Sequence, residues 1–132
     1  MAYSIEYTPD GRGVYRMGEG VVTGAELVAA AQSEIGDPAR ARGLRWGLID
    51  LTRVTRLALT AADLRAISEA NLRLAALTPD IAIGVVTGGN GVFDTIQMWQ
   101  AMAKATGWKI EVFRSRADAE AWIRSERGAT PP

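Results

Sequence analysis

WGLIDL, Trp46 to Leu51, and IAIGVV, Ile81 to Val86, are two apolar runs of strand length. Neither alternates strictly between polar and apolar residues, so each suits a sheet covered on both faces. Between them, Thr60 and Asp63 form a capping pattern. A helix is expected from about Ala61 to Leu77, with Leu64, Ile67, Leu74 and Leu77 near one side. Thr78-Pro79-Asp80 stops it. A strand, a helix and a second buried strand make a parallel pair joined by a right-handed crossover.

The same alternation continues in both directions. Upstream, Tyr3, Ile5 and Tyr7 alternate with polar residues, turn chemistry follows at Pro9 to Gly13, and Val14 to Met17 reads as a second strand. Thr23 with Glu26 caps a helix carrying Leu27, Val28, Ala31 and Ile35, which Gly36-Asp37-Pro38 ends. Arg40 to Arg45 reads as a polar connection. Downstream, a helix is expected from about Val92 to Thr106, with an inner stripe of Val92, Ile96, Trp99 and Ala103, ended by Gly107. Lys109 to Phe113 is the last strand, and Ser115 with Asp118 caps a last helix carrying Ala119, Trp122 and Ile123.

The expected order is β-β-α-β-α-β-α-β-α: a single α/β domain over residues 1–126 and a flexible tail over 127–132. Its sheet should be mixed, mostly parallel and five-stranded, with an N-terminal antiparallel edge hairpin.

The chain has 132 residues, 48% of them hydrophobic, enough for one self-supporting core. Lys+Arg and Asp+Glu each number 15. That balance argues against a nucleic-acid surface, although Arg40, Arg42, Arg45, Arg53 and Arg56 cluster in sequence. They read as solvated loop and strand-end residues. There is no cysteine and no histidine. Disulfides, thiolate metal sites, cysteine nucleophiles and a Ser-His-Asp triad are excluded. These absences point away from an enzyme, and no cofactor or metal is expected. The N-terminus does not read as a signal peptide, and no apolar run approaches the ~20 residues that span a bilayer, so a cytoplasmic protein is expected.

Three stretches carry a family resemblance. Gly47-Leu48-Ile49-Asp50-Leu51-Thr52 is similar to an apolar strand ending in Asp-Leu-Ser, and Ile81 to Val86 to the strand that follows it. Val112-Phe113-Arg114-Ser115 with Asp118 to Ile123 is similar to a closing strand and a helix carrying Glu-Ala and Trp. Together they resemble the STAS superfamily, in its bacterial SpoIIAA-like (STAS/SEC14-like) branch. The resemblance implies a regulatory module that binds a protein partner and is switched by phosphorylation of a hydroxyl at the entry to the helix after the Asp-Leu-Ser strand. Thr60 holds that place. Where the family's switch reads Asp-Ser-Ser-Gly, this chain reads Ala58-Leu59-Thr60-Ala61. The SEC14-like side implies instead a carrier or sensor of a small apolar, lipid-like ligand, or membrane association.

Several candidate sites follow. Thr87-Gly88-Gly89-Asn90-Gly91 links a strand to a helix, where backbone N–H groups could meet an anion. It lacks the Walker lysine, and Asp94 stands where a dinucleotide loop needs its third glycine. The loop reads first as a corner that uses positive φ, with Asn90 as cap, and weak anion binding as the remainder. Asp50, Thr52 and Thr60 read as local caps or as a polar pocket at the sheet's ligand-binding edge. Met98, Ala101, Met102 and Ala105 form a second apolar arc, to be covered by a neighbouring helix or by another surface, most simply in a homodimer. The carrier alternative predicts a cavity lined by Leu57, Leu59, Phe93 and Met98. Asn71 falls on an inward face, where bonding to the nearby loop is expected. Trp99 and Trp122 read as core, and Trp108 as exposed.

Overall fold

The computed structural model describes residues 2–89 and 91–127. Asn90 and residues 128–132 of the expected tail lie outside them. The elements are β1 Tyr3–Tyr7, β2 Gly13–Thr23, α1 Gly24–Ile35, α2 Pro38–Gly43, β3 Trp46–Ala58, α3 Ala61–Leu77, β4 Ala82–Thr87, α4 Gly91–Ala103, β5 Lys109–Phe113 and α5 Arg116–Arg127. A single 3₁₀ turn, Lys104–Thr106, follows α4.

The strands lie in the order β1-β2-β3-β4-β5. β1 pairs antiparallel with β2, and the remaining neighbours are parallel. Because strand order follows chain order in one direction, right-handed crossovers place α1, α3 and α4 on the same face. The larger core lies there, built from Val22, Leu51, Val85, Leu64, Ile96 and Trp99 among others. On the opposite face α5 stands alone, packing Ala119 and Ile123 on Trp46, Leu48 and Val86. Strand order never reverses, so this sheet has no topological switch point of the kind that places ligands in doubly wound folds.

Both capping boxes form. The Thr23 hydroxyl accepts from the Glu26 N–H at 3.2 Å, and Glu26 accepts from the Thr23 N–H at 3.1 Å. Ser115 accepts from the Asp118 N–H at 3.1 Å at the start of α5. Gly107 takes φ 77° after the 3₁₀ turn, the left-handed conformation expected of that stop.

The expected boundaries change in several places. Pro38 at the first turn and Asp37 accepting from the Arg40 N–H turn the expected connection Arg40–Arg45 into α2. β2 runs past Met17 to Thr23, and β3 runs past Leu51 to Ala58. Beyond the reach of β1 and β4, these two strands continue as a parallel ribbon with two register shifts. Bulges of this kind scramble the polar–apolar alternation by which a strand is read. Thr52 to Ala58 is therefore strand and not loop. α4 ends at Ala103, its last turn tightened to 3₁₀. Arg127 is the last residue of α5, and its guanidinium donates to Asp80 at 2.8 Å.

Candidate functional site

Asp50 and Thr52 meet on the face of the sheet that carries α5. One Asp50 oxygen accepts from the Thr52 N–H at 3.0 Å and from its hydroxyl at 2.7 Å; the other stands 3.6 Å from Arg116. Arg116 also reaches Glu120 at 3.4 Å and lies over the Tyr15 ring. The aspartate is thus occupied as a local cap and helix anchor.

Thr60 does not join them. It is exposed, and its hydroxyl accepts from the Asp63 N–H at 3.1 Å while Asp63 accepts from the Thr60 N–H at 2.9 Å. No polar pocket of Asp50, Thr52 and Thr60 forms. The ends of α1 and α3 sit side by side here: a methyl on Gly24 would run into the Asp63 carboxylate.

The glycine loop is tightly built. Gly89 takes φ 111°, and a Cβ on Gly88 would come to 3.1 Å from the Thr52 carbonyl. A side chain on Gly91 would meet open space. Thr87 is fully buried just before the loop. Arg114 lies over the Phe93 ring at 5.2 Å and reaches beside Gly89.

A cavity of about 70 Å³ opens between the sheet, α1, α3 and α4. Leu57 and Leu59 line it as expected. Phe93 does not, being engaged by Arg114. Nor does Met98, which points outward and is 57% exposed. Met102 is 37% exposed, and Ala101 and Ala105 are exposed with it. Among the described residues, no helix of this chain covers that arc.

Besides Thr95, the cavity wall holds three polar residues: Tyr3 and Arg16, which the sequence did not mark as site residues, and Asn71, which lies inward as expected. Arg16 pairs with Glu34, which is 3% exposed on the inner side of α1. Burial pushes the Tyr3 phenol above its ordinary range, against the opposing pull of the Arg16 charge. Asn71 accepts from the Trp99 indole N–H at 2.9 Å, a partner on a neighbouring helix and not the loop expected for it. A signal was present: Arg16 shares the inward parity of Val14, and Glu34 falls one helical turn after Ala31. Trp108, expected outside, is buried and donates to the Thr78 carbonyl at 2.9 Å. Trp122 is only partly buried, beside Phe113.

The arginine cluster does not make one patch. Arg40 stacks over Tyr7 at 4.3 Å and pairs with Asp37, while Arg45 bonds the Arg42 and Leu44 carbonyls. Among the described residues there is no group of three acidic side chains placed to hold a metal, and no helix long and apolar enough to cross a membrane.

No family model and no curated protein matches the chain. Solved structures do. The anti-sigma factor antagonist SpoIIAA in its unphosphorylated form superposes with a TM-score of 0.58 at 8% identity, over 93% of this chain and 98% of that one. An uncharacterized DUF3478-family protein with a SpoIIAA-like fold from Shewanella loihica PV-4 superposes with a TM-score of 0.55 at 19% identity, over 92% of each. With the mixed sheet, its antiparallel edge hairpin and the lone α5 on one face, these likenesses show that the chain has a SpoIIAA-like fold.

Proposed function

We propose that this chain is a non-enzymatic regulatory module that works by binding another protein, and that it forms a homodimer in the cytoplasm. The observation that carries this reading is the uncovered apolar face of α4, where Met98 and Met102 stand exposed. Methionine suits adaptable contacts between surfaces. The Thr52–Thr60 segment comes close to this helix, since its Leu57 and Leu59 line one cavity with Thr95, one turn before Met98 on α4. SpoIIAA is an anti-sigma factor antagonist with an unphosphorylated form. Carried to this chain, that makes exposed Thr60 the hydroxyl to be modified.

The test is sedimentation equilibrium with Met98→Asp/Met102→Asp beside the unmodified protein, followed by capture from the source cell. A dimer that the double variant dissociates, and a captured protein lost with that variant and altered by Thr60→Glu, are expected. A monomer at all concentrations, with capture indifferent to α4 and Thr60, overturns the reading.

The cavity favours a second reading: the module senses or carries a small ligand held by Leu57 and Leu59. Its volume of about 70 Å³, where ~10–15 Å³ of such space admits one water, suits a compact molecule and not a long acyl chain.

A further inference from the structure

We infer that the cavity takes a small neutral molecule with an apolar body and a hydrogen-bond-accepting oxygen at one end, a ketone or ester in kind. This rests on the second reading above and names its ligand class.

The outer wall, with Leu27, Leu57, Leu59 and Leu64, offers only apolar contact. Polarity is confined to Tyr3, Arg16 and Asn71, apart from Thr95, whose hydroxyl donates to the Gly91 carbonyl at 3.1 Å. The Asn71 amide has one fixed orientation. Trp99 can only donate, so it claims the Asn71 oxygen and leaves the amide N–H groups free to donate. The Arg16 guanidinium has five donors, more than one carboxylate can accept. Tyr3 can both donate and accept, and its oxygen is taken up by the Arg16 guanidinium beside it. The polar end of the cavity is therefore richer in free donors than in acceptors, and its complement is an acceptor.

Charge then selects among acceptors. A smaller cavity of about 30 Å³ adjoins this one, sharing Arg16, Asn71 and Trp99, and Glu34 lines it. The cationic partner is already neutralised by a carboxylate buried beside it. A second carboxylate would enter low dielectric with no countercharge and with Glu34 nearby, an expensive arrangement. A purely apolar guest would leave the donors unanswered. Only a neutral molecule with an acceptor meets both conditions.

The experiment uses ¹⁵N-labelled full-length protein at pH 7 and follows the Trp99 indole N–H signal, assigned by its loss in Trp99→Phe. The probes are 2-hexanone, hexanoate and hexane. A saturable shift with 2-hexanone is expected, with hexanoate and hexane at least tenfold weaker. Leu59→Trp, at the partly exposed rim, should weaken 2-hexanone at least tenfold with an unchanged melting curve. Equal or tighter binding of hexanoate or hexane overturns the ligand class and leaves the pocket reading standing. Ketone binding indifferent to Leu59→Trp overturns the location. No shift with any probe overturns the pocket reading and this inference together, while the protein-binding reading, tested at Met98 and Met102, is untouched.

Discussion

The indole N–H of Trp99 on α4 donates to the side-chain oxygen of Asn71 on α3 at 2.9 Å, with both residues buried. This bond ties together two helices of the same face at the wall of the cavity. Removing the acceptor leaves a buried N–H without a partner, which costs ~1–3 kcal/mol. Asn71→Leu should therefore lower stability in urea titrations by that amount. Trp99→Phe should lower it too, but the double variant should fall short of the sum by ~0.5 kcal/mol or more. Strict additivity would show that the bond contributes nothing.

The Arg16–Glu34 pair is the most heavily desolvated charge pair among the described residues. Breaking such a pair from one side strands a buried charge, at ~3–5 kcal/mol, whereas replacing both partners by apolar groups is often close to neutral. Arg16→Met should destabilise strongly, and adding Glu34→Leu should recover most of the loss. A double variant no more stable than Arg16→Met would contradict this account.

Sequence periodicity carried the architecture because the helix starts are written in local chemistry. Thr23 with Glu26, Thr60 with Asp63 and Ser115 with Asp118 cap α1, α3 and α5 where they were expected. What escaped depends on contacts between distant residues. The far half of β3 is held by β2 alone through bulges, which break the two-residue period. Arg16 and Glu34 are polar letters on inward faces that only the partner found by folding makes tolerable there; Asn71 was legible as inward, but its partner Trp99 was not. The Leu57 and Leu59 wall was legible as apolar sequence. The polar part of the wall was not, because Tyr3, Arg16 and Asn71 come from β1, β2 and α3 and meet only when the chain is folded.

Two titrations give pH tests of opposite sign. Asp80 is exposed, and the Arg127 hydrogen bond, then its charge, hold the carboxyl below its ordinary value of 3.8. Its folded pKa is depressed, so the stability it contributes is present above that ordinary value and is lost as pH falls through the folded one. The melting temperatures of the unmodified protein and of Asp80→Asn should converge below about pH 4. Tyr3 is raised above 10.0, chiefly by burial. Its contribution is full below pH 10 and is lost as pH rises through the folded value, because the unfolded phenol ionises first. Tyr3→Phe should soften alkaline unfolding and leave acid unfolding unchanged.

Gly24 and Thr60 test the paired helix starts from two sides. Thr60→Ala removes a cap and should cost ~1 kcal/mol, with Thr60→Ser recovering most of it. Glycine to alanine in a helix ordinarily gains up to ~1 kcal/mol. At Gly24 the sign should reverse, because the added methyl occupies the place of the Asp63 carboxylate and drives it off the Thr60 N–H. The two lesions strike the same box, so Gly24→Ala and Thr60→Ala should be less than additive in urea titrations. An Asp63→Ala background should remove the penalty of Gly24→Ala and return the ordinary gain. If Gly24→Ala stabilises the unmodified protein, the contact between the two helix starts is not what holds Asp63 in place.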